Sequence, residues 1–476
     1  MAVQWTGSGP DVLLHLDRSD AAPLGAQLQR ELRDAIQRGR VAVGERLPSS
    51  RQLARELGVS RGLVVDSYSQ LGSEGFLATR AGSGTTVAIG AIVLPARQRP
   101  RLSPASVQID FSYGEPDLHR FPMKDWLWSL DAASRTVPVA SLGYSDPRGV
   151  AEARTVLASY VRRVRGSLAD PESIVVTAGY SQGLNLVLQV LARRGARHIA
   201  VEDPGDDRNV ASVRRAGMEP VPIPVDGHGL DVGALAASPA SAVVVTPAHQ
   251  CPTGVALAPE RRHLLVHWAT RSGGVIIEDD YDAEFRYDRQ PVGSLHGLAP
   301  AHVVALGTVS KSLAPFLRLG WMLCPPDLVD ALAAEKEACD RAAPALDQVA
   351  LAELMRSGRY DRHIRRMRAV YTSRRQQLID SLRTHAPDIV VSGLEAGLHA
   401  VAHLPNDVAE ADVIAAARDR SVAVYGMSSY RFDRNDRPPA LVLGFGNLTE
   451  ANIERGVAEL AAGIEEVLGE PIRRRA

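Results

Sequence analysis

HVVALGTVSKSLAPFLRLG, residues 302–320, joins an unbroken apolar run to one lysine set among hydroxyls. The run 302–308 has the length and apolarity of a strand buried on both faces. Lys311 follows three positions later, between Ser310 and Ser312, and Arg318 comes seven residues after it. Runs of the same kind stand upstream as SIVVTAG (173–179), SAVVVTP (241–247) and GGVIIEDD (273–280), and helical stretches alternate with them. Buried strands alternating with helices predict an α/β domain on a mostly parallel sheet. Beyond about residue 325 helices dominate, with strands expected near IVVSG (389–393), LHAVAHL (398–404) and ALVLGFG (440–446). That pattern predicts a smaller C-terminal α+β subdomain.

The first ninety residues have another texture. Leu24, Leu28, Leu32 and Ile36 recur every four residues, the mark of an amphipathic helix that Gly39 can end. Ser49 or Ser50 can cap a second helix, Gly58 stops it, and Ser60 caps a third, RGLVVDSYSQLGSEG. Two short helices across an LGVS turn have the spacing of a helix-turn-helix. FLATRAGSGTTVAI (76–89) reads as two strands around a glycine turn, a wing. The expected organisation is a winged helix-turn-helix over 18–88, a Pro- and Arg-rich linker over 89–108, a large domain over 109–325, and a small subdomain with connecting helices over 326–476.

Charge decides little. The first 90 residues carry 10 arginines against 9 acids, and the whole chain has a formal net charge of −1. A basic surface therefore depends on placement rather than on count. Cys251, Cys324 and Cys339 form neither a disulfide framework nor a metal-ligand spacing, so no metal site is expected. The N-terminal stretch lacks the basic and apolar regions of an export signal, and no 18 consecutive apolar residues occur. A cytoplasmic location without membrane contact is expected.

A lysine amine does covalent chemistry on carbonyls by forming a Schiff base. The usual partner, pyridoxal 5'-phosphate, also wants an acid at its ring nitrogen, a donor at its phenolic oxygen, and amides, hydroxyls and an arginine at its phosphate. Asp279 or Asp280 supplies the acid at a strand end, where open α/β sheets bind ligands, and Tyr281 follows directly. Thr308, Ser310 and Arg318 bracket Lys311. Gly179, Tyr180 and Ser181 stand where a strand gives way to a helix whose amides would face an anion. A lone lysine after a strand is commonly a surface residue, and a double aspartate is commonly a cap. Their joint occurrence in this order is what points to a cofactor.

These pieces also resemble known families. YSDPRG (144–149), TAGYSQGL (177–184), VEDPG (201–205), TPAHQCPTG (246–254), IIEDDYDAEFRY (276–287), GTVSKSLAPFLRLG (307–320) and LVLGFGNL (441–448) resemble fold-type I pyridoxal-phosphate enzymes, the aspartate aminotransferase superfamily. LPSSRQLARELGVSRGLVVDSYSQLGSEGFLATRAGSGTTV (47–87) resembles the winged helix of the GntR regulators. Together they resemble the MocR subfamily of transcription regulators. The resemblance implies that Lys311 is the Schiff-base lysine, Asp279 the ring-nitrogen partner with Asp280 as the alternative, and Tyr281 the phenolic-oxygen donor. Thr308, Ser310, Arg318 and Ser181 would meet the phosphate, and His249 would lie near the ring beside Gln250. The plainer reading of His249 is a core histidine satisfied by backbone. The family's dimer is swapped, so the linker could reach a partner, and Tyr144 could serve the partner's site.

Three positions depart from the pattern. Asp206 stands where an aromatic usually stacks on the cofactor, and Cys251 where an aromatic usually precedes PTG. Leu441, Val442 and Leu443 fill a strand that usually brings an arginine to a substrate carboxylate, leaving Arg431, Arg434 or Arg437 as possible replacements. The implied function is a regulator that couples pyridoxal phosphate or an amino effector at Lys311 to operator DNA, with a tilt toward the branch controlling vitamin B6 synthesis. The rivals are a working aminotransferase with a DNA-binding appendage and a relic that binds no cofactor.

On the DNA side, Leu63, Val64, Tyr68 and Leu71 should face inward. Ser60, Arg61, Gly62, Val65 and Ser69 should face outward, with Arg61 nearest the bases or phosphates. Arg46, Ser50 and Arg51 would sit by the backbone, and Arg80 with the Gly82-Ser83-Gly84-Thr85 turn would set the wing. The alternative is a winged helix that contacts only protein.

Overall fold

Serine caps and a left-handed glycine cut the N-terminal helices to length. The computed structural model describes residues 2–3, 14–80, 84–88, 107–137, 139, 143–144, 146–282, 284–287, 292–434 and 438–469. Gly82, residues 89–106 of the expected linker and Arg437 lie outside the described residues, as does the side chain of Arg80. The chain forms two compact units, residues 1–103 and 104–476.

In the first unit, α1 is Leu24–Gln37, α2 is Ser50–Leu57 and α3 is Arg61–Ser73. Of the two candidate serines, Ser49 caps α2, accepting from the Gln52 amide at 3.3 Å. Ser60 caps α3, accepting from the Leu63 amide at 3.2 Å. Gly58 ends α2 at φ 63°, a left-handed conformation glycine adopts without steric cost. Leu28, Leu32 and Ile36 meet Leu53, Val64, Tyr68 and Leu71 in one core, which the hairpin Leu77–Arg80/Gly84–Val87 closes with Leu77 and Val87. Leu14 and Leu16, upstream of the expected boundary at 18, join that core.

The second unit is built on an eight-stranded sheet. Its strands run in the order Ile174–Thr177, Gly320–Leu323, Val303–Thr308, Val275–Asp280, Ala242–Val245, His198–Asp203, Glu219–Asp226 and Gly229–Leu230. The pairings from Val303–Thr308 to Glu219–Asp226 are parallel, while Gly320–Leu323 runs antiparallel to both its neighbours. Both faces are covered, which is why the strands read as unbroken apolar runs. Ile276 packs into the core of one face and Ile277 into that of the other.

Val390–Ser392, His399–His403, Ala440–Gly444 and Tyr425–Gly426 form a four-stranded antiparallel sheet in the C-terminal subdomain. Ile109–Asp110, expected to open the large domain, instead pairs in parallel with Val422–Ala423, and Ile109 and Phe111 are buried in the C-terminal core. The helix Arg359–His385 ties the two parts together: Tyr360, Ile364, Met367 and Tyr371 lie in the large core, Leu378 and Leu382 in the small one. Among the described residues no helix is long and apolar enough to cross a membrane.

Candidate functional site

One cavity at the C-terminal ends of the central strands collects most of the expected residues. Lys311, Asp279, Tyr281, Thr308, Ser310 and Arg318 line it, with Tyr180 and Ser181 opposite. The strand Val303–Thr308 delivers Thr308 and the turn that follows carries Ser310 and Lys311. The strand Val275–Asp280 delivers Asp279.

Lys311 Nζ donates to the carbonyl of Gly114. Gly114 has φ 79°, and a Cβ there would stand 2.9 Å from Nζ. The left-handed φ favours glycine there, and the missing Cβ leaves the amine room. Burial first, then the Arg208 charge, lowers the Lys311 pKa, so the uncharged nucleophilic amine is favoured.

Asp279 is held differently. Its Oδ1 is buried with no hydrogen-bond partner. Burial, and then the charges of Asp206, Asp280 and Asp282, push its pKa well up. A buried acid without a partner is costly, and a cationic ring nitrogen would satisfy it.

Tyr281 donates to the His249 carbonyl at 3.0 Å. His249 itself stands outside the cavity wall. Its Nδ1 meets Asp282 Oδ2 at 2.8 Å, its ring lies 4.8 Å from that of His399, and its Nε2 is buried without a partner. His249, Asp282 and His399 bring ligand-type atoms within 4.8 Å of one another. A hydrogen bond accounts for one of those contacts, His249 to Asp282, while His399 Nε2 is held outside the group by the Pro252 carbonyl at 2.9 Å.

Hydroxyls and a cation gather at the other end. Thr308 Oγ1 and Ser310 Oγ are 2.8 Å apart. Arg318 is exposed and donates to the Ala178 carbonyl at 2.5 Å. The helix Tyr180–Arg193 begins here after Gly179 at φ 92°, without a side-chain cap. An uncapped helix start beside hydroxyls and a guanidinium suits a phosphate. An orphaned acid, a deprotonation-prone lysine and an anion end together fit pyridoxal phosphate.

The departures bear on the same space. Asp206 and Cys251 both line the cavity, and burial raises the Cys251 thiol pKa. Asp206 caps the helix Asp207–Arg215 and accepts from Arg208 Nε at 2.9 Å. Arg208 also lines the cavity, a residue the sequence reading missed along with Tyr113, Asn209 and Gly114. The DDR triplet was the available signal for Arg208, since an acid two residues before an arginine at a helix start can fold it back. Leu441 is fully buried in the small core, far from any charged role. Arg431 donates to the Pro438 carbonyl at 2.7 Å and Arg434 to Asp207 at 3.1 Å, and neither lines the cavity. Tyr144 is exposed with Arg341 over its ring at 4.8 Å.

In the first unit Ser60, Arg61, Gly62, Val65 and Ser69 are exposed, while Val64, Tyr68 and Leu71 are buried and Leu63 half-buried. Arg61 Nε lies 3.5 Å from Ser50 Oγ at the start of α2, and Arg51 is exposed beside it. Arg46 bridges to Thr86 of the wing and packs against Gly84, whose φ is 84°.

Comparison with known proteins agrees with both units. Residues 106–460 match the family described as aminotransferase class I and II, and residues 24–87 the bacterial regulatory proteins, gntR family. The HTH-type pyridoxine biosynthesis transcriptional regulator PdxR of Corynebacterium glutamicum is 32% identical over 465 residues, covering 95% of this chain and 99% of its own. The probable rhizopine catabolism regulatory protein MocR of Rhizobium meliloti is 30% identical over 470 residues, 94% of this chain and 95% of its own. The multiple substrate aminotransferase of Thermococcus profundus superposes with a TM-score of 0.70 at 24% identity, over 80% of this chain and 97% of its own. The second unit thus has the fold of pyridoxal-phosphate-dependent aminotransferases. With a gntR-type helix-turn-helix ahead of an aminotransferase class I and II domain along nearly its whole length, the chain belongs to the MocR subfamily of GntR-type transcription regulators.

Proposed function

We propose that this regulator holds pyridoxal 5'-phosphate at Lys311 and couples its occupancy to operator binding. One observation carries the reading: Asp279 has a buried oxygen with no partner in the same cavity wall as the Lys311 amine. When bound, the cofactor supplies an aldehyde for a lysine amine and a ring nitrogen that takes a proton.

The chain's own residues do the rest. Asp279 holds a proton or a cationic nitrogen at its orphaned oxygen. Burial of Lys311 favours its uncharged amine. Tyr281 turns its one hydroxyl proton from the His249 carbonyl toward the ring end, and His249, held by Asp282, stands behind it. Arg318, Ser181, Thr308, Ser310 and the helix start at Tyr180 bind the phosphate. Arg46, Ser50, Arg51, Ser60, Arg61 and the wing around Arg80, Gly82 and Gly84 contact double-stranded operator DNA.

The working form is a homodimer with its winged helices exchanged, in the cytoplasm. Exposed apolar side chains at Met123, Leu127, Trp128 and Phe316 support burial against a second copy. Effector binding shifts DNA affinity only by its differential affinity for the two arrangements of the winged helices. The effector is pyridoxal phosphate itself. The PdxR relative supports this.

The test is to load purified protein with pyridoxal phosphate, record its absorption, and measure operator binding with and without it. A chromophore that changes DNA affinity is expected. Sustained turnover of an amino acid with a keto acid would favour the aminotransferase instead. Protein that stays colourless at every loading condition would favour the relic.

A further inference from the structure

We propose that Gly62 and Val65 of α3 form an apolar notch that receives the 5-methyl group of a thymine in the major groove, making Val65 a specificity-determining residue. The proposal deepens the DNA-binding reading and rests on it.

Two observations carry it. Val65 is 43% exposed in the middle of the outward face, which otherwise offers Ser60, Arg61, Asp66 and Ser69. A single exposed valine is ordinary on any surface. Gly62, one turn before it, is not ordinary. A glycine inside a helix weakens it relative to alanine and needs a reason. The usual reasons are a left-handed φ or a close neighbour, and Gly62 shows neither: its conformation is helical, and among the described residues a Cβ built there meets nothing within 4 Å beyond its own helix. Among the described residues nothing fills that space, which leaves room for a close approach from outside the chain.

Positions 61, 62 and 65 share one helix face. The first turns of a recognition helix are the part that reaches base edges. A bare backbone at 62 lets that face approach closely, and the valine beside it offers two methyls. Of the groups in the major groove, only the thymine 5-methyl is apolar. Arg61, on the same turn, supplies the polar contact that fixes register.

The test uses the full-length protein. A preferred duplex is selected from randomised DNA, and each thymine in it is then replaced by deoxyuridine, which removes the methyl alone. Wild type should lose about fourfold in affinity at one thymine per half-site, the worth of one methyl leaving an apolar contact. Val65→Ala should lose about as much on the thymine duplex, and should no longer distinguish thymine from uracil at that position. Its far-ultraviolet circular dichroism should match wild type, because the site is exposed and alanine favours helix. Gly62→Ala puts a methyl into the notch, so it should weaken binding more on the thymine duplex than on the uracil duplex. Indifference of wild type to every thymine-to-uracil change overturns the notch, as does undiminished discrimination by Val65→Ala. If no duplex is retained at all, α3 is a protein-contacting helix, and the DNA reading falls together with the notch.

Discussion

Asp279 and Asp280 are neighbours in sequence and opposites in structure. Asp280 is clamped by Arg165, Nε to Oδ2 at 2.5 Å and the other guanidinium nitrogen to Oδ1 at 2.8 Å. Asp279 faces the cavity with an oxygen unpartnered. Strand geometry separates them, because successive side chains leave opposite faces of a sheet. Asp279 shares its face with Ile277, and Asp280 shares the other with Glu278, which accepts from the Ser294 hydroxyl at 2.5 Å.

That relationship sets opposite outcomes for two substitutions. Asp279→Asn should weaken pyridoxal phosphate binding by at least about tenfold, the worth of one charge-assisted hydrogen bond, with little change in melting temperature. Asp280→Ala should leave the buried Arg165 without its partner and cost on the order of 3 kcal/mol of stability. Cofactor titration and denaturant unfolding, run on both variants, distinguish the two roles. Matching phenotypes would mean the assignment is wrong.

Lys311→Ala should abolish covalent attachment while the fold stands, since the side chain only reaches across to Gly114. Mass spectrometry after borohydride reduction should find the cofactor adduct on wild type and none on the variant. An adduct of unchanged abundance on the variant would remove Lys311 from its role.

The rate of covalent attachment should rise with pH and level off below the ordinary lysine range. Burial and the Arg208 charge depress the Lys311 pKa, and only the unprotonated amine attacks. Stopped-flow absorption across pH 6 to 10 measures it. A profile still climbing at the usual lysine pKa of about 10.4 would contradict the depression.

Stability should also depend on pH. Burial pushes Glu202 and Glu284 up to about 7 in the folded chain, from an ordinary 4.5. The folded state therefore binds more protons than the unfolded one across that interval, and stability falls as pH rises through it. Glu284→Gln copies the protonated form. It should raise the melting temperature relative to wild type at pH 8, and the gain should shrink at pH 5. Equal shifts at both values would rule out the coupling.

Arg61→Ala should weaken operator binding by about tenfold without changing cofactor content. Arg61 is exposed at the first turn of α3, next to Ser50 of α2. Fluorescence anisotropy at several salt concentrations tests it: a phosphate contact also lowers the salt slope by about one. Unchanged affinity would move the DNA contact elsewhere.

Much of this molecule was written along the chain, because the signals are local. Period-four leucines, serine caps and a left-handed glycine mark out α1 to α3, and apolar runs mark the buried strands. GTVSKS and IIEDDY carry the cofactor residues because each sits on one strand or the turn after it. What the sequence could not decide depends on segments meeting from far apart. Gly114 and Lys311 are 197 residues apart, and only folding puts a carbonyl and an empty Cβ position beside the amine. Ile109 and Phe111 fall to the C-terminal core because the partner strand lies more than three hundred residues downstream. Arg208 and His249 show the same limit. Whether a side chain turns into a cavity or packs behind it is set by the walls that face it, and those walls come from other parts of the chain.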